Sequence, residues 1–316
     1  MISLLGNGIL CRVLAGKGIL DVPNSRSSHQ QAKPRGGGIA IVAAVAAGMG
    51  ILVAEGAPLP EGILAVGTAA LVLALISWAD DVRGLPPLAR FIPQIICVGA
   101  TLYIVPLPVL PYLDTLPDWL QQGLLAMAWL WFINLYNFMD GIDGITGVET
   151  LVITLGIAAV SVFIPDPVAL QDPALVIAAA AAGFLIWNWA PAKIFMGDVG
   201  SVPLGFVLGW LLLKFAAEGY LAAALILPGY YLLDATITLL ARLRRGEKIW
   251  QAHRQHAYQT AVQGRLSHGR VAALIGLLGI CLIGLGILSL SAPWVAGVAG
   301  AVLTTGLFSF FRYSSN

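Results

Sequence analysis

The chain has 316 residues, 59% hydrophobic and 10% charged, with a formal net charge of +1 and a mean hydropathy of +0.87. A soluble domain of this size needs a charged surface that so few ionisable residues cannot supply, so a soluble fold is excluded.

Residues 2–19 form a short apolar stretch with Arg12 and Lys17 toward its end. A signal peptide carries its positive charge ahead of the apolar run, so this reads as a short or truncated first helix whose basic side chains snorkel to the surface. Apolar runs then follow at 37–54, 62–79, 88–106, 119–138, 145–164, 173–190, 202–217, 220–241, 269–290 and 292–311. A helix needs about 18 to 24 apolar residues to cross roughly 30 Å of hydrocarbon, and these runs predict ten spans. The expected fold is an all-α, polytopic transmembrane bundle of 10–11 helices in a single domain, 1–316. Cys11, Cys97 and Cys281 are scattered through apolar segments in no metal or disulfide spacing and read as packing residues.

With the first helix counted, the loops after odd-numbered helices hold thirteen basic residues between Arg26 and Arg270. The opposite loops hold seven carboxylates, Glu55, Glu61, Asp114, Asp118, Asp166, Asp172 and Glu218, with Lys214 nearby. The positive-inside rule makes the basic side cytoplasmic, and Arg312 fits a cytoplasmic C-terminus.

Four polar segments interrupt the pattern. Asp80 and Asp81 end an apolar helix, where they repel each other and oppose the helix dipole; a solvated turn paired with Arg83 is the alternative. In 134–144, Asn134, Asn137 and Asp140 recur every third residue along one helix face, followed by Gly141, Asp143 and Gly144. An interhelical seam of amides would account for the two Asn but not for two carboxylates. Asp198 and Ser201, in 195–201, precede an apolar helix and are equally suited to N-capping. His253, Arg254 and His256 lie in the longest basic loop; no third zinc ligand is near, and a surface helix binding anionic headgroups is the plainer alternative. All four segments fall on the predicted cytoplasmic side. Asp80, Asp81, Asp140, Asp143 and Asp198 beside a His-bearing basic loop describe a Mg²⁺-dependent centre for a phosphorylated substrate, and a site opening between helices admits a lipid.

These segments, with Asp21 to His29 and Pro34 to Gly38, occur in an order that resembles the polyprenyl-phosphate N-acetylhexosamine-1-phosphate transferase family across nearly the whole chain. The resemblance implies transfer of a sugar 1-phosphate from a UDP-sugar to polyprenyl phosphate with release of UMP. It assigns Asp80 and Asp81 to the lipid phosphate, Asp198 to magnesium, and Asn137 and Asp140 to the metal-diphosphate region. Asp143, Asn188 and Phe195 match positions near the uridine, the His253–His256 loop matches the diphosphate-binding loop, and Arg35 and Asn134 join the substrate-binding set. The first helix is short for the family, which bears on where the chain starts. The muramyl-pentapeptide branch has consecutive histidines where this chain has His253-Arg254-Gln255-His256, and Pro-Thr-Met-Gly-Gly where this chain has Pro34-Arg35-Gly36-Gly37-Gly38. Both differences point to the branch that starts O-antigen, lipopolysaccharide or related surface polysaccharides, in the bacterial inner membrane.

The expected donor is a UDP-N-acetylhexosamine and the acceptor undecaprenyl phosphate, with Mg²⁺, or Mn²⁺ in its place, as cofactor; a homodimer is one candidate assembly, and nucleic acid is not a partner. A lipid phosphate oxygen attacks the β-phosphorus in line, with Asp198 and Asp140 holding Mg²⁺ and cationic His253, Arg254 and His256 balancing charge; a route through a phospho-Asp enzyme stays open. Two other classes are weighed. A Mg-dependent intramembrane prenyltransferase would show two similar Asp repeats, and a transporter would carry its charges near mid-membrane. Here only Asp234 is deep, about 12 Å along its helix from Arg242.

Overall fold

The computed structural model describes residues 1–23, 31–107, 115–164, 169–248 and 253–314. Asn24, Arg26 and His29 of the first motif, and the loop carboxylates Asp114 and Asp166, lie outside the described residues.

Helices dominate, as the apolar runs predict. They are α1 (Ile2–Gly16), α2 (Gly38–Ala54), α3 (Ile63–Arg83), α4 (Pro87–Ile104), α5 (Asp118–Phe138), α6 (Ile145–Ser161), α7 (Gln171–Asn188) and α8 (Asp198–Phe215). A π-helical turn, Ala216–Tyr220, leads to α9 (Leu221–Ile226), α10 (Gly229–Arg244), α11 (Ala257–Gln263), α12 (His268–Leu288) and α13 (Pro293–Tyr313). Two antiparallel dipeptides, β1 (Leu20–Asp21) and β2 (Lys33–Pro34), pair before α2. Five helical stretches are long and apolar enough to cross a bilayer, among them α3, α4, α12 and α13, and the protein is a multi-pass membrane protein.

Two predicted boundaries change. The run 220–241 is divided into α9 and α10 at Leu227–Pro228, because proline has no N–H to continue the ladder. The helix predicted from 202 begins at Asp198, since Gly197 takes a φ of +76°, which breaks the preceding backbone.

The core is built around α8, which packs between α3 and α5. Gly205 and Gly209 let the helices close up: a Cβ at Gly209 would stand 2.8 Å from the Trp129 ring. Outward faces carry exposed Leu64, Leu75, Ile96, Leu277, Ile280 and Val302, suited to lipid tails. Trp119, Trp294 and Tyr103, all exposed, lie at the start of α5, the start of α13 and the end of α4, an interfacial aromatic belt. Chain direction puts those three ends opposite the end where α3, α5 and α7 finish and α2, α8 and α12 begin. It is this second end that gathers the predicted site residues.

Candidate active site

The glycine strip builds the site floor. Gly36 and Gly37 donate backbone N–H bonds to the Phe195 carbonyl (3.1 and 2.9 Å), and Gly38 donates to Met196 O (2.9 Å). A Cβ at Gly38 would stand 2.3 Å from the Gly200 backbone, so the first turns of α2 and α8 meet main chain to main chain. This docking carries Arg35 to Asp198, at 2.9 Å.

Asp81 completes the joint. Its side chain is 0% exposed, and its two oxygens accept from the backbone N–H groups of Asp198 (3.0 Å) and Val199 (2.9 Å) while Arg35 sits at 2.8 Å. A carboxylate from α3 thus caps α8, where the helix dipole favours negative charge. Burial disfavours the Arg35 cation, but Asp81 and Asp198 more than offset this and raise its pKa.

Asp80 points elsewhere. It accepts from Leu85 N (2.6 Å) and faces Arg90 at 3.4 Å, while Arg90 also lies 3.7 Å from Asp198. Asp80, Arg90 and Asp198 form the polar end of a cavity of about 940 Å³ enclosed mainly by α3, α4 and α5, with Asn134 and Asn137 beside them. Apart from Ser77 and Gln94 the rest of the lining is apolar, and its Leu88, Phe91 and Met127 are also exposed on the outer face. The cavity therefore opens sideways, toward lipid. Asn134 donates to Gln94 Oε1 (2.8 Å), so one member of the Asn ladder does form an interhelical amide contact.

Asp140 follows α5 and accepts from the Thr146 hydroxyl at 2.6 Å. Burial pushes its carboxyl up to about 6, with the Thr146 bond opposing and the Asp198 charge adding. Asp143 faces the other way, into a second polar group. It accepts from Ala192 N (2.9 Å) and lies 3.7 Å from Lys33 and 3.3 Å from His268 Nδ1. Burial would raise its pKa, but the bonds from His268 and Ala192 and the Lys33 charge leave it below the usual range. Asn188 joins that group by accepting from Gly144 N and donating to Ile194 O, both at 2.9 Å, and Lys33 lies over the Phe195 ring at 5.4 Å.

The histidine loop differs from expectation in charge. The His253 and His256 rings meet at a tilt of 33° with centroids 4.7 Å apart. Burial, together with nearby His256 and Arg242, pushes the His253 imidazole down to about 3, so it is neutral at pH 7 and not the cation expected. His256 is buried, with Nδ1 3.4 Å from Asp234; Arg254 is half-buried beside them.

Asp80, Asp81, Asp198, Arg35 and Asp140 are thus brought together, with Asp143, Asn188 and Phe195 in the adjoining group. The motifs do not single out Arg90, Lys33 or His268. Arg90 had one signal, a lone charge one turn into an apolar helix; His268 had none. For a metal, the donors are hard carboxylate oxygens, and with both Asp81 oxygens taken by backbone N–H groups and Arg35, those left to offer them are Asp80, Asp140 and Asp198. Among the described residues no three acidic, His or Cys side chains converge as a ready cage. Mg²⁺ takes one or two carboxylates and completes its shell with water and substrate phosphates.

The glycosyl transferase family 4 model matches residues 63–216. The chain is 28% identical over 281 residues to a probable undecaprenyl-phosphate N-acetylglucosaminyl 1-phosphate transferase of Bacillus subtilis, covering 86% of this chain and 77% of the relative. It is 31% identical over 302 residues to a decaprenyl-phosphate N-acetylglucosaminephosphotransferase of Mycolicibacterium smegmatis, covering 84% and 74%. Similarity to the phospho-N-acetylmuramoyl-pentapeptide-transferase of Streptomyces avermitilis is 30% over 260 residues, covering 66% and 72%. With α3 to α8 inside the matched region and a relative above 30% identity aligned over most of both chains, this protein belongs to glycosyl transferase family 4.

Proposed function

We propose that the protein transfers N-acetylhexosamine 1-phosphate from a UDP-sugar to undecaprenyl phosphate at the cytoplasmic face of the bacterial inner membrane, starting a lipid-linked surface polysaccharide. The observation that carries this reading is the Asp80–Arg90–Asp198 cluster at the polar end of an apolar cavity that opens toward lipid. A prenyl chain fits the apolar walls, and its phosphate meets Arg90. Similarity to the N-acetylglucosaminyl relatives spans 86% and 84% of this chain, against 66% for the muramyl relative, which supports the hexosamine branch.

In the reaction an oxygen of the lipid phosphate attacks the β-phosphorus of the UDP-sugar. The bond from that phosphorus to the bridging oxygen breaks, and UMP leaves with the oxygen. A phosphate monoester is largely ionised near pH 7, so the task is orientation and charge. Arg90 holds the acceptor phosphate, Asp80 orients Arg90 and the turn at Leu85, and Arg35 keeps Asp198 in place. Asp198 and Asp140 would hold Mg²⁺, which when bound neutralises the diphosphate oxygens and the departing phosphate. Arg254 and the neutral His253 would supply donors to the diphosphate from the opposite side, and Asp143, Asn188 and Phe195 would hold the nucleoside.

The test incubates purified protein with Mg²⁺, undecaprenyl phosphate and a panel of UDP-sugars, including UDP-GlcNAc, UDP-FucNAc, UDP-QuiNAc and UDP-MurNAc-pentapeptide. UMP release that needs both Mg²⁺ and the lipid, with at least one N-acetylhexosamine donor, is the expected result. Turnover of the pentapeptide donor alone overturns the branch. No UMP from any donor overturns the transferase reading and leaves prenyl transfer or transport to be assayed.

A further inference from the structure

Asp234 lies fully buried in α10 and belongs neither to the carboxylate cluster nor to the cavity. Yet it is densely partnered. Its Oδ1 accepts from the Thr238 hydroxyl (3.0 Å) and from Ala257 N (2.9 Å); its Oδ2 accepts from the Tyr230 hydroxyl (3.0 Å) and from Tyr258 N (3.2 Å). The His256 ring lies beside the same carboxylate, with Nδ1 3.4 Å from Oδ1. A carboxylate this deep is costly unless it serves a purpose, and simple packing of α10 would need only an apolar side chain.

What Asp234 holds is the end of the histidine loop. Ala257 and Tyr258 open α11, and the Tyr258 hydroxyl donates to Phe138 O at 3.3 Å, at the end of α5. That hydroxyl occupies the space a Cβ on Gly141 would need. The chain of contacts thus runs from Asp234 through the start of α11 to the turn that carries Asp140. On the other side, Gln255 donates to Glu247 Oε2 at 3.0 Å, which ties the loop back to the foot of α10.

We infer that Asp234 is a positioning residue for the nucleotide half of the reaction, fixing the His253–Tyr258 segment against the Asp140–Gly144 turn without touching substrate. The inference rests on the functional reading above for the identity of the ligand, but the loop's dependence on Asp234 is measurable without turnover.

The experiment compares wild type, Asp234→Ala, Asp234→Asn and Tyr258→Phe in nanodiscs. Three quantities are read: trypsin cleavage after Arg254, binding of UDP with Mg²⁺, and KM for undecaprenyl phosphate. Asp234→Ala is expected to speed cleavage and weaken UDP binding by about tenfold each, the scale of one lost charge-assisted bond. KM for the lipid should stay within about twofold, because the cavity's polar end is set by α3, α4 and α8. Asp234→Asn keeps an acceptor oxygen and should recover most of both losses. Unchanged cleavage and UDP binding in Asp234→Ala overturns the inference, as does equal loss of lipid and nucleotide binding. Should Asp234→Ala fail to fold, Tyr258→Phe decides: it should weaken UDP binding by about twofold to fivefold, and no change overturns the inference. A wild type that transfers nothing but still shows the Asp234 effect on cleavage would sink the functional reading while leaving the loop's anchoring established.

Discussion

At the scale of single residues, the Asp80–Asp81 pair shows how adjacent identical side chains acquire different work. Successive positions on a helix point about 100° apart, so one carboxylate turns to the cavity and Arg90 while the other turns to the first turn of α8. Asp81 is enclosed by two backbone donors and Arg35, whereas Asp80, also buried, lines the cavity with one backbone donor, Leu85 N, and Arg90. Asp81→Asn should therefore lower thermal stability as well as activity, because the two backbone N–H groups reach different oxygens, one of which becomes an NH2 donor, and Arg35 is left short of a charge partner. Breaking such a buried ion pair costs about 3 to 5 kcal/mol. Asp80→Asn should lose at least about a hundredfold in turnover with a melting temperature near wild type, since the amide oxygen still accepts from Leu85 N. A melting curve and a UMP-release assay on both variants separate the roles; equal stability losses would refute the division. The sequence marks both residues as expensive and functional. It cannot tell them apart, because the facing helix that distinguishes them begins more than a hundred residues later.

At the scale of elements, spans were legible because a bilayer imposes length and apolarity on each helix separately. The divisions that were not legible arise from tertiary contacts. Gly36 to Gly38 read only as part of a motif, yet the reason for the last glycine is steric: its missing Cβ lets α2 touch the Gly200 backbone. Gly38→Ala forces a methyl to within 2.3 Å of main-chain atoms that belong to another helix and cannot rotate away. The two helix starts must separate, which pulls Arg35 from Asp198. We expect a loss of about 1 to 3 kcal/mol or more in stability and a fall in activity of about tenfold or greater, although no polar group is altered. Gly297→Ala is the control, since a Cβ there meets nothing within 4 Å; if Gly38→Ala behaves like this control, the backbone-contact account of the motif is wrong.

Over the whole molecule, charge asymmetry and hydropathy were enough to bring the polar segments to one end, because loop basicity and site chemistry coincide there. The cavity was invisible for the opposite reason. Its walls are Leu, Ile, Met, Phe and Trp side chains that a sequence cannot distinguish from lipid-facing ones, and only the arrangement of several helices turns them inward. If those walls hold the acceptor's prenyl chain, bulk placed far from the polar end should harm a long acceptor and spare a short one. Leu73 meets this condition: it lines the cavity, is otherwise buried, and lies seven residues before Asp80 on α3, about 10 Å away along the helix. Leu73→Trp has the cavity as its free space, so the indole displaces volume there. Burying one isoprene unit less costs several methylene equivalents at about 0.8 kcal/mol each, enough to raise KM for undecaprenyl phosphate by about tenfold or more. Geranyl phosphate, with its two isoprene units near Arg90, should keep its KM within about twofold, and kcat should hold for both because the reacting phosphate is not moved. Steady-state kinetics with the two acceptors reads this out directly. An equal rise in both KM values would mean that the substitution disturbs the phosphate end, and no rise in either would mean that the prenyl chain runs outside this cavity.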